Sequence, residues 1–287
     1  MNPIRFRHVV PDMKIRYFIA ATAILASAAV AACDVRVNDQ GGVSVDVSEG
    51  GRAEDESTRT YPLAKGGRIE LETENGDVEL VGGTGTAVEV STMRRARAAS
   101  DEAARDLLKQ QYSTVEAVAD RVSIQSIKPT GQEAFRRRVR TDYRITVPVG
   151  SLVTIKNENG AITLTDVNGR FTVDSTNGRV MGRGVSGGLE AQMVNGIVIV
   201  QMIAVTGDIR ITTVNGHAIL GLPPDTNATV EATTLNGGVV VRDSLPVVAT
   251  TKDRQRLSGR LGTGNGPRIE LKTTNGNVRI GAGEPPT

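Results

Sequence analysis

The side chains that most often carry metal or nucleophilic chemistry are rare in this sequence. Its 287 residues include two histidines, His8 and His217, and a single cysteine, Cys33. A structural zinc site needs four such ligands and a catalytic one needs three, so these residues cannot form either. We therefore predict no metal and no cofactor, and Cys33 has no partner within the chain for a disulfide.

Carboxylates are the remaining candidates for catalysis. Enzymes that cleave polysaccharides need two or more acids close together, for calcium binding or for acid–base work. The aspartates fall at different places relative to the Asn-Gly dipeptides that recur along the chain: Asp77, Asp166, Asp174, Asp208, Asp225 and Asp243. The sequence therefore predicts a protein that is not an enzyme, and a carbohydrate-active enzyme is kept as an alternative.

Cys33 has a context that indicates one specific modification. The apolar segment 17–30 follows a short basic region after Met13, the predicted start, and small residues lead to Cys33. About 14 apolar residues are too few to cross a membrane comfortably but suit the core of a signal peptide. The segment resembles the lipobox of bacterial lipoproteins. An ordinary secretory signal, with Cys33 incidental, is the alternative.

The lipobox resemblance implies that residues 1–32 are removed and that the Cys33 thiol carries the lipid anchor. Asp34 then resembles an inner-membrane retention signal of enterobacterial lipoproteins, although the choice between inner and outer membrane stays open. These features predict a lipid-anchored, periplasm-facing protein of the bacterial cell envelope. Its first partner is the membrane itself.

Asn-Gly dipeptides dominate the rest of the chain. They occur nine times, nearly always followed by apolar residues at every second position. In the block from 157 to 280, a unit of about 18–21 residues holds two short strands and two turns. Such a period is typical of one coil of a solenoid, in which each strand pairs with its equivalent in the next coil.

The repeat therefore predicts an all-β fold, a parallel β-helix with Asn-Gly turns. Aromatic residues make up only 3% of the chain and tryptophan is absent, which suits a narrow aliphatic core. The alternative is an antiparallel β-sandwich, because Asn-Gly is also the strongest signal for a two-residue hairpin.

The predicted organisation has four parts. After the leader, residues 33–57 are read as the lipidated cysteine and a flexible tether, in which Val43, Val45 and Val47 allow one short strand. Residues 58–281 form the β-helix domain, and 282–287 are a tail. A helical insert lies at 97–112, with Ser100 as N-cap and an apolar stripe at helical spacing.

Two stretches carry a resemblance to a known family: YRITVPVGSLVTIKNENGAITLTDVNG at 143–169 and LPPDTNATVEATTLNGGV at 222–239. They are similar to bacterial envelope proteins described as candidate adhesins of unknown function. The resemblance covers roughly residues 58–281. It implies a right-handed β-helix on a lipoprotein or membrane anchor.

The asparagines in the common frame are the first candidate site. In a stacked solenoid they form a ladder in which each side-chain amide bonds to the next coil, and asparagine tolerates the left-handed backbone that the turn needs. The predicted ladder comprises Asn75, Asn159, Asn177, Asn195, Asn215, Asn236 and Asn275.

A cluster of arginines is the second candidate site. Leader residues 1–32 hold four of the 34 basic side chains and one of the 32 acidic ones, so the rest of the chain is nearly neutral. This balance does not indicate nucleic acid as a partner. Local excess charge predicts an anion-binding surface for lipid head groups or an envelope polymer, formed by Arg94, Arg95, Arg97, Arg136, Arg137, Arg138 and Arg140.

The sequence thus favours a membrane-tethered envelope lipoprotein that acts as a non-enzymatic adhesion, scaffold or envelope-stress module, with a protein as one kind of partner. The alternatives are a sensor of anionic lipid or polymer, and a carbohydrate-active β-helix enzyme.

Overall fold

The computed structural model describes residues 33–37, 43–47, 50–110, 113–126, 139–242 and 245–283. The chain divides into two units, one ending at Gly50 and one beginning at Gly51. In the first unit, strands β1 (Cys33–Val37) and β2 (Val43–Val47) pair antiparallel. The short strand that the alternating valines allow is therefore present.

The second unit is built almost entirely from strands. Its first half contains one helix among seven strands: β3 (Arg52–Pro62), β4 (Arg68–Asn75), β5 (Val78–Gly83), β6 (Ala87–Arg97), α1 (Asp101–Gln110), β7 (Ser113–Val118), β8 (Arg121–Ser126) and β9 (Val139–Pro148). Its second half contains β10 (Ser151–Thr165), β11 (Asn168–Asn215), β12 (Ala218–Leu222), β13 (Ala228–Asn236), β14 (Val239–Val241), β15 (Val247–Lys252), β16 (Arg256–Leu261), β17 (Arg268–Asn275) and β18 (Val278–Ala282). The all-β class is confirmed.

The Asn-Gly repeats stack in parallel. Strand β10 pairs in parallel with β4 on one side and β11 on the other, and Asn159 lies opposite Asn75 and Asn177 in these pairings. A hairpin would place the two strands that flank each Asn-Gly side by side and antiparallel. The antiparallel sandwich is therefore wrong for the repeat block, and antiparallel pairing is found towards the two ends of the stack.

The order of coils in space differs from their order in the chain. The coil formed by β4 and β5 lies between β8 and β9 on one side and β10 on the other. At the far end, β17 and β18 lie between the coil of β11 and β12 and the coil of β13 and β14. The first and the last parallel coils are thus each held between two others.

The core is a column of aliphatic side chains. Alternate residues of each strand point inward, as in Ile69, Ile155 and Ile211, which are fully buried, and Phe171 is the largest of the fully buried side chains that the structure describes. Alternation with period two places every second residue of a strand on the same face. A narrow core of this kind needs no tryptophan.

Helix α1 lies inside the predicted insert at 97–112 and begins after its predicted N-cap. The Ser100 hydroxyl accepts a hydrogen bond from the amide of Ala103 at 3.2 Å. The buried stripe of Ala104, Leu107 and Leu108 forms a second, smaller hydrophobic cluster with Ala53 of β3, Ala96 of β6 and Val139 of β9. The paired strands begin at Arg52, upstream of the predicted domain start at residue 58.

Each corner of a coil depends on glycine. Within the described residues, Asp166 is the one non-glycine residue with a positive φ, so the left-handed backbone expected at the ladder asparagines is not there. After six of the seven ladder asparagines it is the following glycine that has positive φ, for example +138° at Gly178, and Gly237 is the exception. A Cβ at Gly178 would lie 2.0 Å from the carbonyl oxygen of Gly160 in the neighbouring coil.

We predict that Gly178→Ala destabilises the protein by roughly 3 kcal/mol or more, because it combines backbone strain with a clash that shifts two coils. Gly150→Ala is the matched control. Gly150 also has positive φ, at +81°, but a Cβ added there would have no atom within 4 Å. The Gly150→Ala variant should therefore lose only about 1–2 kcal/mol of unfolding free energy. Urea denaturation of both variants checks this, and equal losses would contradict the role of the neighbouring carbonyl.

Candidate functional site

The structure brings all seven asparagines of the common frame into one line. Each side-chain amide donates from Nδ2 to Oδ1 of the asparagine in the neighbouring coil: Asn159 to Asn75 at 3.1 Å, Asn177 to Asn159 at 2.9 Å, Asn195 to Asn177 at 3.0 Å, Asn215 to Asn195 at 2.9 Å, Asn275 to Asn215 at 2.8 Å and Asn236 to Asn275 at 2.8 Å. We call this line the asparagine ladder.

The ladder follows the order of the coils in space. Asn275 is inserted between Asn215 and Asn236, because β17 lies between β11 and β13. The other two Asn-Gly dipeptides, at Asn168 and Asn265, lie outside the ladder. Asn168 accepts the Gly150 amide through its main-chain carbonyl at 2.9 Å.

Inside the corner, polar side chains donate hydrogen bonds to the glycine carbonyls. The hydroxyl of Thr273 donates to the carbonyl of Gly216 at 3.0 Å, and that of Thr234 donates to Gly276 at 2.8 Å. Asn157 donates to Gly76 at 3.1 Å. A buried carbonyl without a partner is costly, so this inner row of hydrogen bonds stabilises the corner.

Replacing a central ladder residue by aspartate should weaken the stack in a pH-dependent way. Asn195→Asp removes the donor to Asn177 and sets a carboxylate against an amide oxygen, which we expect to cost roughly 1–2 kcal/mol at neutral pH. A protonated acid regains one O–H donor, so the difference from wild type should shrink on acidification. Asn265→Asp is the control, and equal denaturation midpoints for the two variants would count against the ladder.

The arginine cluster is divided by the structure. Arg136, Arg137 and Arg138 lie outside the described residues. Arg94, Arg95 and Arg97 lie on β6, and Arg140 lies on the adjacent strand β9, where Arg95 and Arg140 are directly opposite each other. The four described arginines therefore share one end of the stack.

Carboxylates already engage three of these four arginines. Arg94 is paired with Asp55 and donates to the Leu108 carbonyl near the C-terminus of α1. Arg95 contacts Asp142 at 2.6 Å, and Arg140 contacts the same Asp142 at 2.8 Å and Asp77 at 2.6 Å. Asp142 was not among the predicted site residues, although its position two residues after Arg140 places both on one strand face.

Asp142 is the centre of this network. Its side chain is 21% exposed, and Oδ1 also accepts the main-chain amide of Asp77, at 2.8 Å. Partial burial alone would lower the pKa of Arg140, but the charges of Asp142 and Asp77 and their hydrogen bonds outweigh it, so that pKa is raised. The described part of the cluster is thus a charge-balanced joint between the end strands and the first coil.

Tyr143 closes the joint on its buried side. Its hydroxyl is hydrogen-bonded to Ser113 at 2.6 Å and to Ser126 at 2.8 Å, which ties β9 to β7 and β8. Burial raises the pKa of Tyr143, although the two serine hydrogen bonds and the charge of Arg94 act in the opposite direction.

Because the folded state favours the protonated phenol, Tyr143 contributes stability that is fully present below pH about 10 and is lost as the pH rises above that value. We predict that Tyr143→Phe costs about 1–2 kcal/mol at pH 8, from the lost hydrogen bonds. The difference in free energy of unfolding between the variant and the wild type should become smaller at higher pH. Urea denaturation across the alkaline range measures it, and a constant gap would refute the prediction.

A shallow groove runs across several coils beside the ladder. It has a volume of 530 Å³, and it is lined by Lys156, Asp174, Gln192 and Val214 among others. Its wall changes from charged side chains in the earlier coils to apolar ones in the later coils. Three residues just before ladder asparagines are exposed and apolar, Val194 at 42%, Val214 at 41% and Leu235 at 65% exposure, with Thr274 of β17 between Val214 and Leu235 in the stack. We call these three residues the valine–leucine stripe.

Two of the aspartates considered for a catalytic group hold neighbouring coils together, and Asp243 lies outside the described residues. Asp77 accepts the amide of Ala161 at 2.8 Å, and Asp208 accepts that of Arg268 at 2.9 Å. Across the described ranges, no group of three or more His, Cys, Asp or Glu side chains is arranged to hold a metal ion. His217 is exposed, and its Nδ1 accepts the amide of Asn277 at 2.9 Å.

Cys33 and Asp34 begin strand β1, and their side chains lie outside the part of the chain that can be described. Among the helices of the described residues, none is long and apolar enough to span a membrane.

A stack of parallel coils with an asparagine ladder defines this protein as a β-solenoid. The Toastrack family model, DUF4097, matches residues 60–281, and the chain belongs to that family. The fold that the sequence resemblance implies is therefore confirmed at the level of a β-helix-like solenoid.

Solved structures give more distant similarities. A candidate cell adhesion protein from Clostridium sporogenes is 11% identical, with 80% of this chain and 100% of that chain covered and a TM-score of 0.49. A candidate adhesin from Bacteroides fragilis is 9% identical, with 79% and 97% covered and a TM-score of 0.29. A candidate lipid binding protein from Parabacteroides distasonis is 12% identical, with 79% and 96% covered and a TM-score of 0.30. No curated protein matches the chain.

Proposed function

We propose that this protein is a non-enzymatic module of the bacterial envelope, anchored by a lipid on Cys33, whose right-handed solenoid docks a protein partner on one face. The valine–leucine stripe is the observation that carries the proposal. Val194, Val214 and Leu235 are exposed along one face of the stack, interrupted only by Thr274, and a group of exposed apolar side chains is typical of interaction surfaces.

The geometry of the stripe supports a protein as the partner. Its two valines stand on successive coils of β11, and Leu235 of β13 follows one coil further on, beyond Thr274 of β17. The ladder and the glycine corners hold these coils in register, so the surface is rigid before binding. Preorganisation reduces the entropy lost on association. The neighbouring groove adds polar contacts from Gln192 and Thr212, which suits the polar rim of an interface.

The other two hypotheses have less support. A carbohydrate-active enzyme needs clustered acids, and the described aspartates Asp77 and Asp208 serve main-chain amides. An anion sensor needs free positive charge, whereas Arg95 and Arg140 are neutralised by Asp142. Among the described arginines, Arg97 is exposed and remains for that hypothesis, while Arg136, Arg137 and Arg138 lie outside the described residues.

One experiment tests both parts of the proposal. A photo-crosslinking amino acid is placed at Val214 in the stripe, or at Arg279 on the strand after the corner as a matched control, each in wild-type and Cys33→Ser backgrounds. Membrane fractionation and intact mass should show an acylated, membrane-bound protein that becomes soluble and unmodified with Cys33→Ser. Irradiation of cells should give a discrete adduct from position 214 and none from 279.

The fractionation and mass measurements test the lipid anchor, and the crosslinking tests the docking surface separately. A soluble, unmodified wild type would remove the lipid anchor and leave a secreted solenoid. Equal adducts at both positions, or an adduct at neither, would remove the stripe as the docking surface. The adduct at 214 should also disappear with Leu235→Asp, which leaves the core and the ladder untouched.

A further inference from the structure

The nine Asn-Gly dipeptides are prone to one intramolecular reaction, and the fold places them in settings that favour it to different degrees. In this dipeptide the glycine main-chain nitrogen is unhindered by a side chain and can attack the amide carbon of the preceding asparagine. The attack requires that the glycine nitrogen lose its proton and that the asparagine side chain turn back over it. Both conditions depend on the hydrogen bonds that the two residues make.

In the asparagine ladder these hydrogen bonds oppose the attack. The amide of Gly76 donates to the main-chain carbonyl of Asn159 at 3.0 Å, that of Gly216 donates to Asn275 at 2.9 Å, and that of Gly276 donates to Asn236 at 2.9 Å. At the same time each asparagine side chain is held along the axis by its neighbours in the ladder. Nucleophile and electrophile are therefore both fixed, in directions that keep them apart. At the last ladder position the Gly237 amide has no hydrogen-bond partner among the described residues, and the Asn236 side chain is held by its bond to Asn275 alone.

Asn168 lies outside the ladder but inside the sheet. It is the first residue of β11, and Gly169 pairs in register with Ser151 of β10. A Cβ at Gly169 would lie only 2.2 Å from the Ser151 carbonyl oxygen, so the dipeptide is pressed against the neighbouring coil. The rearrangement that cyclisation needs would disturb this pairing.

Asn265 is in a different setting. Asn265 and Gly266 are both exposed, and they lie in the turn that joins β16 to β17, outside every strand. Gly266 also approaches a neighbouring carbonyl, because a Cβ there would lie 1.9 Å from that of Asn227. Within the described residues, however, neither the Gly266 amide nor the Asn265 side chain has a hydrogen-bond partner. Asn227 anchors the other end of the turn by accepting the Thr263 amide at 2.9 Å, and the Asn-Gly is left accessible to water and base.

We propose that Asn265 is a site of spontaneous deamidation, and that the fold protects the seven ladder asparagines from the same reaction. The Gly266 nitrogen, deprotonated by solvent base, forms a bond to Cγ of Asn265 as the side-chain nitrogen leaves with a proton as ammonia. The product is a cyclic succinimide. Water then adds to either of its two carbonyl carbons, and the ring opens to aspartate or to isoaspartate.

The reaction changes the turn that leads into β17. It adds one negative charge beside a basic stretch that includes Arg260, whose side chain lies close to Gly264. Isoaspartate also lengthens the main chain by one atom. Because the change is irreversible and needs no enzyme, the fraction of altered Asn265 records the age of the molecule.

The test is to incubate the folded full-length chain at mildly alkaline pH and to map deamidation at each Asn-Gly by peptide mass spectrometry. Asn265 should react roughly tenfold or more faster than any ladder asparagine, because a ladder residue must first open locally. The same incubation in denaturant should bring all nine dipeptides to comparable rates. Asn265→Gln should remove the fast product while leaving the thermal midpoint unchanged.

Two outcomes would overturn the proposal. One is a ladder asparagine that reacts as fast as Asn265 in the folded protein. The other is an Asn265 that stays intact in the folded protein but reacts in denaturant. Hydrogen exchange at the ladder glycines provides a second readout, since protected amides should coincide with protected asparagines.

Discussion

The structure depends on a single contact repeated at every corner: the glycine carbonyl of one coil lies where the next glycine would carry its side chain. The separation between this carbonyl oxygen and the glycine of the next coil is set by the spacing of paired strands, which is about 4.8 Å. At the same spacing an asparagine amide reaches its counterpart in the next coil and hydrogen-bonds to it. Strand pairing, the glycine corner and the asparagine ladder thus enforce one register, and a slip of one residue would break all three.

Much of this architecture could be predicted from sequence, because its signals are local and repeated. Each of the seven asparagines has the same spacing to the apolar residues that follow it. In a stack of coils, this constant spacing is enough to place the asparagines in one column. Helix α1 was equally predictable from Ser100 and the stripe of Ala104, Leu107 and Leu108. In these places the hydrophobic period and the capping residue agree.

The order of the coils could not be predicted in the same way. Strand β17 lies between β11 and β13 although it follows both in the chain, and each of its pairings would be satisfied equally well at the end of the stack. The choice depends on long-range contacts rather than on its own residues. The partners of the arginines were missed for a related reason. Nothing local in the sequence pairs these arginines with Asp55, Asp77 and Asp142, which come together with them only in the folded chain.

The ladder also gives the solenoid a direction. Main-chain amides alternate along a strand, so their dipoles largely cancel across a sheet. The side-chain amides do not alternate: every Nδ2 donates towards Asn75, and hydrogen-bonded amides in a row polarise one another. The column is therefore an electric dipole along the axis, positive at the end marked by Asn75 and negative at the end marked by Asn236. Asp77 follows the positive end, and the main chain of Arg254 and Gln255 borders the negative one. The two ends of the rod thus differ in polarity as well as in shape.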